Sequence, residues 1–360
     1  MEKLKSPLTI RGDSLYCPLS LSADAYWNCL NDCHHCYLRR LNHVWGQDLR
    51  PADVTAFEKQ LINGLKNPNP KSSMAWALKQ KKTIRFGNKA DPFQPAERTH
   101  HAAFKMLTIL KQLQWSVVIQ TMCTDIMMDY FDLIVSMGSQ VVVQPIISPG
   151  LEQDWAVLER KRTSQISARL DCLRAFKAKG ISVGVNGEPY IPGYHTVEQF
   201  EETLKRLRTA GVSSYNTYSF HFNDFVAKRL IVIGVDIEKI WYYNQDKNWR
   251  PILQQLIDLA KKYNVALGCP DFVNAGPDYV ECTNTCCGVD VPNPTTFNVL
   301  NWKRRIQQGE DPERVFESSW DGVGDKAQGR QVFEGTTPEM FTLKDAGIHV
   351  KPTVKKGLLV

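Results

Sequence analysis

The sequence predicts an α/β protein built on a curved or barrel-like parallel sheet, and three observations predict it. β-branched runs alternate with amphipathic helical stretches, giving six βα units from Leu15 to about Ala227. The helical stretches are long enough to serve as βαβ crossovers, which is what parallel pairing requires. No 20–50-residue sequence repeat is visible, so the repetition is one of architecture.

In chain order, residues 1–14 read as an N-terminal extension and Leu15–Ser22 as the first strand, running through Asp24–Trp27 into a cysteine-rich loop. Pro51 stands where a helix can begin, and Ala52–Lys66 carries Val54, Phe57, Leu61, Ile62 and Leu65 at helical spacing, stopped by Asn67-Pro68-Asn69-Pro70. Thr83–Gly87 reads as the second strand, Asn88–Pro95 as a loop and about Ala96–Leu113 as a helix. Ser116–Thr121 and Gln140–Ile147 follow as strands around a helix over Asp125–Met137. Asp154–Lys179 reads as one long amphipathic helix closed by Gly180, Ile181–Glu188 as a strand, Thr196–Ala210 as a helix ended by Gly211, and Ser213–His221 as a strand. The barrel domain is expected over 15–230, with a C-terminal extension or cap over 231–360 that holds a helix at Pro251–Tyr263 and a short strand at Val265–Gly268.

Composition narrows the class. With 43% hydrophobic and 23% charged residues the chain is globular, and no eighteen apolar residues run together, so no membrane span is expected. Met1–Pro7 lacks the apolar core of a signal peptide. Ten cysteines without such a signal argue for a reducing, cytoplasmic setting and metal chemistry over disulfides. The net charge of +6 mildly favours an anionic partner.

Cys29, Cys33 and Cys36 stand in a C-x3-C-x2-C pattern, inside Asn28-Cys29-Leu30-Asn31-Asp32-Cys33-His34-His35-Cys36-Tyr37. Three thiolates from one loop can hold three corners of a cubane iron–sulfur cluster and leave one iron open for a substrate or cofactor. A zinc site completed by His34 or His35, and a set of buried thiols, are the alternatives. In a barrel-like parallel sheet the loops after the first and second strands fall on one rim, where function concentrates.

A second group follows the barrel: Cys269, Cys282, Cys286 and Cys287, in loops rich in Asn, Pro and Gly. It reads as ligands of an auxiliary iron–sulfur cluster (Cys269, Cys282, and Cys286 or Cys287), as a thiol pair at Cys286-Cys287 supplying hydrogen atoms or electrons, as zinc, or as metal-free buried thiols. Beyond it, Trp302-Lys303-Arg304-Arg305 can touch phosphate and base, though such a run is more commonly a solvated helix face.

The cysteine pattern, with His35 and Tyr37 flanking its last thiol, resembles the signature of the radical S-adenosylmethionine (SAM) superfamily. Leu15 to His221 resembles its partial (βα)6 TIM-type barrel. Asp91-Pro92-Phe93-Gln94-Pro95-Ala96-Glu97, Ile119-Gln120-Thr121, and Arg169 through Gly180–Val185 to Pro189-Tyr190-Ile191-Pro192-Gly193 resemble the spore photoproduct lyase-like branch. The resemblance implies that Cys29, Cys33 and Cys36 ligate a [4Fe–4S] cluster whose open iron takes SAM. It further implies Tyr37 near the adenine, Gly87-Asn88 at the SAM amino group, Gln144 at the ribose and Arg169 at the carboxylate. Two departures stand out: Met122 and Cys123 follow Ile119-Gln120-Thr121 where the branch often has lysine, and Asn88-Lys89-Ala90 lacks the hydrogen-donating thiol of spore photoproduct lyase. Cys123 is the substitute donor to consider, beside a buried structural role.

The function expected is a radical SAM enzyme that cleaves SAM reductively and abstracts hydrogen from a small-molecule or nucleic-acid substrate, such as a nucleobase or nucleotide. It would be driven by a reductant such as flavodoxin or ferredoxin. The alternative is a zinc-binding, non-catalytic nucleic-acid-binding protein.

Overall fold

The computed structural model describes residues 3–4, 6–10, 15, 17–38, 48–150, 152–217, 220–268, 287 and 289–335. β1 (Leu8–Ile10) pairs antiparallel with β2 (Leu21–Ala23), and β3 (Tyr26–Trp27) with β4 (Arg50–Pro51) as a separate ribbon. β5 (Ile84–Phe86), β6 (Val117–Thr121), β7 (Val141–Pro145) and β8 (Ser182–Val183) continue in parallel from β2. β9 (Val185–Asn186), β10 (Ser214–Asn216) and β11 (Ala266–Gly268) form a second parallel set. Only Gly184 separates β8 from β9, and Ile146 bridges to Asn186, so the two sets make one curved surface. The fold class is the α/β, partial TIM-type barrel expected, with helices between successive parallel strands.

Alternation along the strands sorts the core. Val117, Ile119, Val141 and Val143 face outward into a core with Phe57, Leu61, Leu107 and Leu110. Val118 and Val142 face the barrel interior, where Cys17, Leu19, Cys287, Val289 and Val291 meet them. Val185, Tyr215 and Leu267 anchor a further outer core with Phe200, Leu204, Leu253 and Trp302. Residues 289–300 pack against the start of the strands. The Pro292 carbonyl accepts from the Thr83 hydroxyl, Lys82 Nζ donates to the Pro294 carbonyl at 3.0 Å, and Thr295 N donates to the Pro18 carbonyl at 2.8 Å.

Several sequence expectations are corrected. The first strand is shorter and later than Leu15–Ser22, because Cys17 and Leu19 turn into the lumen instead of pairing. The helix expected over Ala96–Leu113 breaks at His101, which is left-handed at φ 52°. The long helix expected over Asp154–Lys179 is two helices, Glu152–Leu158 and Ile166–Ala178. Arg160 and Lys161, at φ 57° and 53°, reverse the chain between them, in a region that non-glycine residues rarely adopt. Ala266–Gly268, expected in the C-terminal extension, pairs in parallel with Ser214–Asn216, so the barrel sheet runs past residue 230. Among the described residues, no helix is long and apolar enough to cross a membrane.

Candidate active site

The loops leaving β2, β5, β6 and β9 converge on one pocket at the carboxyl ends of the strands, as the topology requires. Cys29, Cys33 and Cys36 all line it, facing Gly87, Asn88 and Asp91 from the next loop. Asn28 and Asp32 adopt φ values of 70° and 55°, which wraps the cysteine loop back on itself. Two side chains from the Asp91–Glu97 stretch fasten that loop. Gln94, fully buried, accepts from Leu30 N at 2.7 Å and donates to the Asn28 carbonyl at 3.0 Å. Asp91 accepts from the Thr121 hydroxyl and from Met122 N, each at 2.7 Å, tying the loop after β5 to the end of β6.

Asp24, just past β2, organises the facing rim. Its Oδ1 accepts from Asn88 N, Lys89 N and Ala90 N at 3.0, 2.6 and 3.4 Å. Burial raises the Asp24 pKa, against the pull of those N–H groups. Gly87 sits at φ +94°, and a Cβ there would lie 2.5 Å from the Gln120 carbonyl oxygen and 2.7 Å from Pro92 Cδ, so the close approach needs glycine.

A third set of contacts pins the cysteine loop from outside. Arg229 Nη2 donates to the Asp32 carbonyl, the Asp32 carboxylate and the Cys33 carbonyl at 2.8, 2.9 and 3.1 Å. Arg160 also pairs with Asp32, and His34 N donates to the Leu158 carbonyl at 2.8 Å.

Beneath the cysteines the lumen is polar. Arg85 Nε donates to Gln120 Oε1 at 2.5 Å, Gln120 Nε2 to Gln144 Oε1 at 2.6 Å, and Gln144 Nε2 to the Cys287 carbonyl at 2.7 Å. Asn216 Nδ2 donates to Glu188 Oε1 at 2.9 Å, and Glu188 lies 4.0 Å from the Arg85 guanidinium. Arg85, Gln120, Asn186 and Glu188 line the pocket and form its floor.

Of the residues named from sequence, Cys29, Cys33, Cys36, Tyr37, Gly87 and Asn88 come together around this pocket. Tyr37 is 39% exposed and packs edge-on against His221, with ring centroids 4.8 Å apart. Gln144 does not line the pocket: it lies beside Gln120 in register on the next strand, both ends of its amide engaged. Arg169 is also elsewhere. It is fully buried, and its guanidinium bonds the Ser164 and Ile146 carbonyls, Thr163 and both carboxylate oxygens of Glu159, which takes all five N–H donors and leaves none for a SAM carboxylate.

Cys123 is 3% exposed and lies off the pocket against Asn31, whose Nδ2 is 3.2 Å from its sulfur; burial raises its pKa, as for a structural thiol. Cys287 is buried in the apolar lumen cluster and does not line the pocket. Cys269, Cys282 and Cys286 lie outside the described residues. Sequence reasoning missed Asp24, Asp32, Arg229 and the floor residues Arg85, Asn186 and Glu188. The alternation of polar residues in the second, fifth and sixth strands was the available signal.

The donor set suits a polynuclear cluster. Burial pushes the Cys29 thiol up to about 12 and raises that of Cys33, so a cationic centre that displaces the protons would relieve a desolvated, mutually repelling group. Among the described residues no three His, Cys, Asp or Glu side chains converge on one ion position. Three thiols lining one pocket suit a cluster that takes one thiolate per iron.

No family model and no curated protein matches the chain. Solved structures do. A spore photoproduct lyase variant with bound AdoMet and dinucleoside spore photoproduct aligns over 73% of this chain and 79% of that chain, with a TM-score of 0.52 and 12% identity. Spore photoproduct lyase complexed with the dinucleoside spore photoproduct aligns over the same shares, with a TM-score of 0.51 and 12% identity. The resemblance read from the strand order thus holds in the fold.

Proposed function

We propose that the chain is a radical SAM enzyme, with a [4Fe–4S] cluster on Cys29, Cys33 and Cys36 and SAM on its open iron. The observation that carries this reading is the convergence of all three cysteines with the Gly87–Asn88 rim in one pocket, on the barrel of a lyase solved with AdoMet. When bound, the pair supplies one-electron cleavage of the SAM carbon–sulfur bond and a 5′-deoxyadenosyl radical; the protein supplies orientation and exclusion of water.

This chain's residues have assignable parts in that scheme. Asp24 and Gly87 present the 87–90 backbone to the pocket, where its carbonyls can accept from the SAM amino group. Tyr37 offers a ring face or edge to the adenine. The floor of Arg85, Gln120, Asn186 and Glu188 offers donors and acceptors to a polar substrate. A nucleobase or nucleotide substrate fits this polar floor and the dinucleoside bound by spore photoproduct lyase. Fold likeness alone weighs little for a substrate. With Cys123 and Cys287 off the pocket and no thiol at Asn88–Ala90, no described cysteine other than the three assigned to the cluster lines the pocket, where a thiol could return hydrogen to a substrate radical. A low-potential carrier such as flavodoxin or ferredoxin would supply the electron.

The test is anaerobic purification with iron, sulfide and zinc analysis, then incubation with SAM and dithionite. Four irons and sulfides per chain and 5′-deoxyadenosine are expected, both lost in Cys33→Ala. Stoichiometric zinc without 5′-deoxyadenosine would establish the nucleic-acid-binding alternative instead.

A further inference from the structure

Resting on the cluster assignment above, we infer that the outer side of the cysteine loop is the docking surface for an acidic one-electron carrier protein. Five cations gather on this side from two parts of the chain: Arg160, Lys161 and Arg162 from the turn after Glu152–Leu158, and Lys228 and Arg229 from the helix Asp224–Ile231. The three arginines meet at the Asp32–Cys33 turn. Arg160 and Arg229 pair with Asp32, Arg162 lies 3.9 Å from its carboxylate and donates to the Leu30 carbonyl at 3.3 Å, and Arg229 reaches the Cys33 carbonyl. One carboxylate therefore faces three arginines, with Lys161 and Lys228 next to them in sequence and exposed. Of the neighbouring acids, Glu159 is committed to buried Arg169, Glu152 to the N-terminus of Ile166–Ala178, and Asp154 to Tyr194 and Gln199, while Asp224 stands one helical turn from Lys228.

None of the five cations lines the pocket; the pocket's own cations are Arg85 and Lys89. The cations thus lie behind the Asp32–Cys33 turn, which itself lines the pocket, and an electron can enter on their side without crossing SAM or substrate. A polyanionic substrate would call for the reverse placement. Arg160 and Lys161 are held in consecutive left-handed conformations, which cost energy and present their side chains outward at the tip of the turn. Exposed apolar groups accompany them: Leu30 is 40% and Val157 42% exposed. A small apolar centre within a single-sign charged rim is the composition of a transient redox interface, in which steering sets the association rate.

The step balances. The carrier, reduced by one electron, docks and is oxidised by one unit as the cluster is reduced by one, with no proton or atom transferred.

Lys161→Glu/Lys228→Glu tests the surface, because both side chains are exposed and neither bonds the cysteine loop. The anaerobic holoenzyme is assayed for 5′-deoxyadenosine with reduced flavodoxin, reduced ferredoxin and dithionite. Carrier-driven rates should fall about tenfold or more through KM, and the native rates should fall with added salt, while the dithionite rate and iron content stay unchanged. Carrier-driven rates equal to native at low salt would overturn the inference, as would equal losses with carrier and dithionite. Lost affinity for a single-stranded oligonucleotide with carrier rates intact would assign the patch to nucleic acid. Failure of the cluster assignment reads differently: no iron, and no product with dithionite in the native protein.

Discussion

Arg169 shows how a residue's environment overrides its chemistry. Its position on the helix before β8 invites a role at a substrate carboxylate, yet Glu159, Thr163 and two carbonyls consume its donors. The pair holds the 159–164 turn, and with it the Leu158 carbonyl that fastens His34. Arg169→Ala strands a buried carboxylate and should destabilise the protein by about 3–5 kcal/mol. The Arg169→Met/Glu159→Leu double variant should recover part of that loss. Urea unfolding measures both, and equilibrium binding of SAM to the folded fraction should be unchanged; a specific loss of SAM affinity would restore the carboxylate role.

At the scale of elements, the site is made by loops that are stapled to one another more than to their own strands. Asp24 follows β2 yet holds the loop after β5, Asp91 and Gln94 leave β5 yet hold β6 and the cysteine loop, and Arg229 reaches that loop from the helix Asp224–Ile231. The N–H groups of residues 88–90 therefore converge on a single acceptor atom. Asp24→Ala should cost about 1–3 kcal/mol by leaving buried N–H groups without a partner, and should weaken SAM binding more than it changes iron content. Asp24→Asn keeps an oxygen in place and removes a charge that burial disfavours, so it should remain close to native in thermal melting. The break at Arg160–Lys161 belongs to the same scale. Apolar spacing continues across it and reads as one helix, and only the burial of Glu159 against Arg169 interrupts the pattern.

For the whole molecule, acid stability carries the imprint of a buried histidine. His195 is 3% exposed, its Nδ1 accepts from Ile191 N at 2.9 Å, and burial brings its pKa from 6.5 down to about 3. It takes up a proton on unfolding and not while folded, so its contribution is complete above pH 6.5 and is lost as pH falls. Between pH 8 and pH 5 the loss should be about 2 kcal/mol. Comparing denaturation midpoints of the native protein and His195→Gln should show a shallower acid limb in the variant. The sequence by itself determined the strand–helix rhythm, the parallel sheet and the cysteine loop on its rim, because burial patterns and thiol spacing are local properties of the chain. It did not disclose that Gln144 lies off the pocket lining beside Gln120, that Cys123 and Cys287 are packed away from it, or that Ala266–Gly268 joins the barrel. Those outcomes depend on which partners other elements bring, across separations such as the 143 residues between Gln144 and Cys287. The same holds for the arginines behind the Asp32–Cys33 turn, since charge reveals its purpose only when distant segments place it against a particular surface.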